Sequence, residues 1–430
     1  MQYFLPDSQD LVDPSFDFTK ENRCADRLRH RDDQYAHEVF STRAFDGILV
    51  SKAIVDGTGG AGQARYTQAQ RRRLLREGVR AFFRAEEHRW GPLTFMGDCG
   101  AFSYVKADAP PYTVDEVVEF YDRCGFDCGI SVDHVILEHR PEWEDDLFAG
   151  DERGVPAAVR GRQQLTLELA REFFTTIKRD RLRVMPVGVA QGWGPRSYAH
   201  AARELQEIGY RYIALGGVVP LKTPDLLRCL EAVHAIRRPE TRIHLLGVTR
   251  IAAVSAFAKF GVVSFDSTSP LRQAFKDDKD NYYTLDRTYS AIRVPQVQGN
   301  FRLEARVRSG EVDQDLARAA EQRCLQRLAE YDAGARAIKS VLEALRAYEL
   351  IHDPRTDRTE IYREALEAKP WKTCPCEVCK QLGHHVILFR GAERNRRRGF
   401  HNVWTFYQRL RRGLAATAVL ATPACASPAR

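Results

Sequence analysis

The sequence predicts an α/β chain built on a closed (β/α)₈ barrel of the TIM type, followed by a helical, zinc-binding subdomain. Three observations point there. Short apolar runs alternate with helical patterns across roughly 250 residues, which calls for a parallel sheet and, with about eight runs, favours a closed barrel over a doubly wound open sheet. Beyond residue 300 the apolar runs give way to helices, and further on Cys374, Cys376 and Cys379 crowd into the segment CPCEVC.

Taken in order, residues 1–44 read as a polar, irregular segment with Pro6, Pro14 and a charged stretch from Lys20 to Asp33, wrapping over the main body. The barrel is placed at residues 45–300. Its strand candidates are Phe45 to Ser51, Leu93 to Gly97, Cys128 to Val132, Val184 to Ala190, Tyr210 to Leu215, Ile243 to Gly247 and Val262 to Phe265. An eighth candidate, Ala291 to Val297, is interrupted by Pro295, which a central strand does not tolerate. Helical spacing lies between them at Leu74 to Phe83, Val114 to Cys124, Ala158 to Arg179, Tyr198 to Ile208, Pro224 to Ile236 and Ile251 to Phe260. The charged segment from Glu138 to Val155 reads as a solvated loop inserted after the third strand. Residues 301–413 form the helical subdomain, with helices at Val312 to Glu330 and Ala335 to Leu350. Leu316, Ala319, Ala320, Cys324 and Leu328 are expected on one face of the first. Residues 414–430, rich in Ala and Pro, read as a disordered tail.

Composition narrows the function classes. With 44% hydrophobic and 29% charged residues the chain can bury a substantial core. A net charge of +7 permits a nucleic-acid partner without requiring one. No apolar run approaches the roughly 18 residues that cross a bilayer, so no membrane association is expected. The first residues lack the basic and apolar regions of a signal peptide, so the ten cysteines are expected reduced, in a cytoplasmic protein.

The chemistry is expected at the strand ends, where parallel barrels keep their active sites. Asp266 closes the run VVSF just before the turn residues STSP; Asp98 follows LTFMG, and Asp133 follows CGISV. Gln191 and Gly192 follow VGVA, and Gly216 with Gly217 follows YIAL. Each has an ordinary alternative as a turn former, helix cap or surface amide, but together they line one rim. Glycines there let backbone groups approach a ligand closely. Two carboxylates, Asp98 and Asp266, suit a double displacement at a sugar carbon, one attacking and the other managing protons. Asp133 and Gln191 are then placed to read the edge of a base.

Three thiolates on a knuckle can take three corners of a tetrahedral zinc site. The fourth ligand must come from His384, His385 or His401, and the alternative is a set of unliganded structural thiols. With all four positions filled, the zinc is structural and the chemistry returns to the carboxylates.

These residues resemble the tRNA-guanine transglycosylase superfamily, from about Phe95 to His401. Asp98-Cys99-Gly100-Ala101-Phe102 is similar to its Asp-Ser-Gly-Gly-Phe motif, and Asp133 in DCGISVD falls at its base-recognition Asp. Val189-Ala190-Gln191-Gly192 and Leu215-Gly216-Gly217 resemble its base-contacting Val-Gln-Gly and Ile-Gly-Gly, and Phe265-Asp266 its nucleophile motif. The three cysteines with His401 match its zinc signature. The resemblance implies that Asp266 displaces guanine to form a covalent glycosyl-enzyme, that a 7-deazaguanine base takes guanine's place, and that Asp98 deprotonates the incoming ring nitrogen.

Two departures are informative. Ser-Gly-Gly has become Cys-Gly-Ala, and STSPLR follows the nucleophile where the tRNA enzymes carry a hydrophobic pair and Pro-Thr-Arg. With no counterpart of the archaeal RNA-binding domain in view, the sequence looks most like the DpdA branch, which inserts 7-cyano-7-deazaguanine into DNA. DNA is therefore the expected partner; tRNA as substrate, or a zinc-containing nucleic-acid-binding protein without catalysis, are the alternatives. The resemblance also implies a possible homodimer or partner modification proteins. The run Arg390, Arg394, Arg396, Arg397 and Arg398 reads as a solvated face or as a grip on phosphates.

Overall fold

The computed structural model describes residues 1–57, 65–144, 154–276 and 279–421. Eight parallel strands close into a barrel in sequence order. They are β1 (Gln2–Pro6), β2 (Gly47–Ser51), β3 (Thr94–Asp98), β4 (Cys128–Ile130), β5 (Met185–Ala190), β6 (Tyr212–Leu215), β7 (Arg242–Leu245) and β8 (Val262–Asp266). Seven match the apolar runs read from the sequence.

The eighth does not. The barrel is closed by β1 from the segment expected to be irregular, with Phe4 pairing to Gly47 on one side and to Asp266 on the other. The expected strand at Ala291 to Val297 shrinks to Ile292–Arg293, which pairs with Leu388–Phe389 outside the barrel. Pro295 supplies the reason, because it has no amide hydrogen for a ladder.

Helices α1 (Gln68–Phe82), α2 (Val114–Cys124), α3 (Ala157–Arg179), α4 (Pro195–Ile208), α5 (Thr223–Ile236) and α6 (Val254–Lys259) alternate with the strands. Local chemistry sets their ends. Thr113 and Glu116 cap α2 reciprocally, each side chain taking the other's backbone amide, and Gly125 at φ 72° stops it. Helix α4 is capped from the charged insertion: Glu144 accepts from the amides of Arg196 (3.0 Å) and Ser197 (2.8 Å). A buried carboxylate at a helix N-terminus is favoured by the free amides and the dipole there, so the expected solvated loop is a structural cap at this point; residues 145–153 of that loop lie outside the described residues. Phe4, Leu49, Met96, Ile130, Val187 and Val189 are among the side chains that fill the barrel interior.

Two compact units emerge. One holds the described residues of 1–9 and 45–268 together with those from Leu410 on, and the other holds the described residues of 10–44 and 269–409. The second contains α7 (Phe301–Arg308), α8 (Gln314–Asp332), α9 (Ile338–His352) and α10 (Thr359–Ala368). Helix α8 buries Ala317, Glu321, Cys324, Leu328 and Tyr331, whereas Leu316 and Ala319 of the expected face are exposed. The true stripe runs one residue further round, because Glu321 is drawn inward to accept from Arg390 at 2.6 Å.

That pairing also corrects the reading of the arginine run. Arg390, Arg394, Arg397 and Arg398 are all buried, so they form neither a solvated face nor a phosphate grip. Arg390 and Arg394 pair with Glu21, Arg397 donates to the Asp13 carbonyl at 2.6 Å, and Arg398 donates to the carbonyls of Leu388 (2.8 Å) and Ala274 (2.6 Å). A buried guanidinium demands such partners. The last helix, α11 (Gly391–Ala421), extends eight residues into the stretch expected to be a disordered tail, and residues 422–430 lie outside the described residues. Among the described residues no helix is long and apolar enough to cross a membrane, and no two cysteines are joined.

Candidate active site and metal centre

Three aspartates stand at the carboxyl ends of barrel strands. Asp98 is the last residue of β3, Asp266 is the last of β8, and Asp133 follows β4. Asp98 is partly exposed, but its carboxyl lies among enough protein that burial raises its pKa from 3.8 to about 7. The charges of Asp133 and Asp266 push in the same direction, while the Gly100 amide and the Ser51 hydroxyl oppose them. Both carboxylates act electrostatically on Asp98, so the three belong to one charged neighbourhood.

Asp133 is buried and pushed up to about 6, again chiefly by loss of water, with hydrogen bonds from Gln191 and Cys99 pulling back. Gln191 Nε2 donates to Asp133 Oδ2 at 2.7 Å, and Cys99 Sγ donates to Oδ1 at 3.3 Å. Tyr104 donates in turn to the Cys99 sulfur at 3.1 Å. The other end of Gln191 accepts from the Ile136 amide at 3.2 Å, so protein groups engage both ends of this amide. The glycines beside it are steric necessities. A Cβ at Gly216 would collide with the Gln191 amide, and one at Gly217, where φ is 71°, with the Ile136 carbonyl. Gly192 packs against the Tyr198 ring, whose hydroxyl donates to the Gly216 carbonyl at 2.7 Å.

Among the described residues, the hydrogen bonds to Asp266 converge on one oxygen. Oδ1 accepts from the Gly247 amide at 3.0 Å and lies 3.2 Å from His244 Nε2. His244, fully buried in β7, places Nδ1 2.7 Å from Ser264 Oγ, and that hydroxyl also meets the Tyr212 hydroxyl. Neither His244, Ser264 and Tyr212 nor Ser51 and Tyr104 emerged from the sequence. Each sits on or beside a strand with no motif of its own; the only visible signal was a histidine inside the apolar run IHLL.

In the second unit, Cys374, Cys376, Cys379 and His401 bring their ligand atoms within 4.8 Å of one another. The three sulfurs lie 3.6, 3.3 and 3.3 Å from His401 Nδ1. A tetrahedral ion with bonds of about 2.3 Å to sulfur and about 2.0 Å to nitrogen separates such ligands by about 3.5 Å, so the donor set fits a metal ion. His401 Nε2 is 2.7 Å from the Tyr283 carbonyl, an outer contact that presents Nδ1 to the sulfurs. His384 and His385, the other candidates for the fourth position, are not members of the group; His384 Nδ1 lies 3.6 Å from Asp332 instead.

A cluster of carboxylates at the mouth of a parallel barrel, two of them with raised pKa, is the place and chemistry of an enzyme active site. Comparison with known proteins makes the class specific. The chain is 46% identical over 414 residues, 95% of its own length and 96% of the other's, to a DNA-guanine transglycosylase of Salmonella montevideo. It also matches tRNA-guanine(15) transglycosylases of Thermococcus kodakarensis and Thermococcus onnurineus, at 27% identity over 197 residues, 44% of this chain and 30% of theirs. No protein-family model matches it. This chain belongs to the DNA-guanine transglycosylase family, whose members are glycosyltransferases.

Proposed function

We propose that this protein exchanges guanine in DNA for 7-cyano-7-deazaguanine through a covalent glycosyl-Asp266 intermediate. The observation that carries the reading is the end-to-end likeness to a DNA-guanine transglycosylase; the arrangement of the three aspartates supplies the mechanism. Asp266, with Oδ1 engaged by Gly247, attacks the sugar C1′ through Oδ2. The C1′–N9 bond breaks, and its electron pair leaves with guanine. Asp98, poised near neutrality, protonates the departing base and later takes the proton from the ring nitrogen of the incoming one. Asp133 reads the base edge. Gln191 orients Asp133 and can turn to the base only by giving up one of its present partners, while Gly192, Gly216 and Gly217 keep the floor of the site open. A guanine in duplex DNA must leave the stack before Asp266 reaches its sugar.

Cys374, Cys376, Cys379 and His401 would hold a structural zinc ion, which when bound ties the cysteine knuckle to α11. The reduced cysteines suit a cytoplasmic enzyme. Incubating the protein with labelled 7-cyano-7-deazaguanine and either guanine-containing DNA or tRNA tests the proposal. Label in DNA is the expected result; label in tRNA alone transfers the activity to the other polymer, and label in neither refutes exchange.

A further inference from the structure

The hydrogen bonds behind Asp266 form a directed chain. Ser264 Oγ touches both the Tyr212 hydroxyl and His244 Nδ1, and His244 Nε2 faces Asp266 Oδ1. All four residues are buried, Tyr212 at 4% and His244 and Ser264 at 0% exposure, so every proton must find an acceptor within the protein. A carboxylate only accepts, which requires a hydrogen on Nε2. A neutral imidazole then has a lone pair on Nδ1, which Ser264 must fill by donating, and Ser264 in turn accepts from Tyr212. Every donor therefore points towards Asp266. The aromatic faces of Phe4 and Tyr212 pack edge-on against the imidazole, at 5.9 and 6.4 Å between ring centres, and restrict its rotation.

Resting on the exchange reading above, we infer that His244 is a positioning residue that makes Asp266 a good leaving group. His244 Nε2–H and the Gly247 amide both act on Oδ1, so Oδ2 is the oxygen that bonds to C1′. In the glycosyl-enzyme, Asp266 is an ester, Oδ1 is its carbonyl oxygen, and the negative charge is gone. When the incoming base attacks C1′, the C1′–Oδ2 bond breaks and its electron pair returns to the carboxylate. Both donors then face a full charge again, and charge-assisted hydrogen bonds are the stronger ones. The relay thus stabilises free Asp266 more than the ester. It restrains attack somewhat and promotes discharge of the intermediate, the step that completes exchange.

The test uses the full-length protein with guanine-containing DNA, following the covalent adduct on denaturing gels and its discharge after a chase of free guanine. His244→Phe keeps a planar ring without the donor, and His244→Gln restores an N–H. In His244→Phe the adduct should accumulate, with discharge slowed about tenfold or more relative to the wild type. His244→Gln should recover a good part of that rate. Ser264→Ala, which removes the hydrogen bond to Nδ1 and lets the other tautomer form, should shift discharge in the same direction. Unchanged discharge in folded His244→Phe, or equal slowing of formation and discharge, overturns the inference while leaving exchange intact. A wild-type protein that forms no adduct overturns the exchange reading and this inference with it.

Discussion

Replacing Asp98 by Asn should make the protein more stable as well as inactive, and the gain should grow with pH. Folding raises the pKa of this carboxyl from 3.8 to about 7. Between those values the folded chain holds a proton that the unfolded chain has released, so stability is fullest below about pH 4 and falls as pH rises to about 7. Each pH unit in that interval costs about 1.4 kcal/mol, so between about pH 5 and pH 8 the wild type loses about 3 kcal/mol at this position. Solvent on the open side of the carboxyl trims this to about 2 kcal/mol. Asn fills nearly the same volume and does not titrate, so Asp98→Asn escapes the loss. Thermal melts of both proteins at about pH 5 and pH 8 should show the variant's lead in Tm widening by about 2 °C. Comparing the two pH values cancels any pH-independent effect of the amide on packing. Parallel melting curves across that range would mean that folding does not strain this carboxyl, and would remove the basis for giving it the proton-handling role.

The same titration should mark the kinetics: single-turnover capture of 7-cyano-7-deazaguanine by the preformed adduct, which needs Asp98 as a base, should rise through about pH 7 and level off above it, and a flat profile would exclude that role. Cys376→Ala should lose bound zinc and soluble protein together, as judged by metal content and yield, because a closed four-ligand site contributes its binding energy to folding; a folded, active variant without metal would contradict a structural centre. Arg398→Ala should destabilise the fold by about 3 kcal/mol in urea unfolding, since it strands the carbonyls of Leu388 and Ala274. A folded Arg398→Ala with weaker and less salt-sensitive DNA binding would instead return this side chain to the phosphate-contacting surface.

Periodicity made the barrel legible where side chains alternate in kind, and failed where composition misleads. The strand QYFLP is short and followed at once by acidic and irregular sequence, so nothing local separates it from a wrapping segment; only closure of the ring between β2 and β8 selects it. The arginine run shows the opposite failure. Five cations in nine residues signal charge, and whether they face water depends on Glu21 and Glu321, far away in the chain. The strand-end aspartates and the cysteine knuckle were legible because their chemistry is concentrated in short spacings. His244 was not, since a histidine in an apolar run reveals nothing about which carboxylate it will meet across a barrel.

The attachment of β1 to β8 has a consequence for how the protein comes into being. Phe4 lies beside Asp266 in the ladder, and the Tyr3 hydroxyl bonds the carbonyl of Ser267, 264 residues away in sequence. On the ribosome, β1 can pair with β2 early, but its other edge must wait until the eighth strand has been synthesised, so Asp266 is the last of the three aspartates to find its place. An affinity tag or leader fused before Gln2 would therefore disturb catalysis before it disturbed solubility.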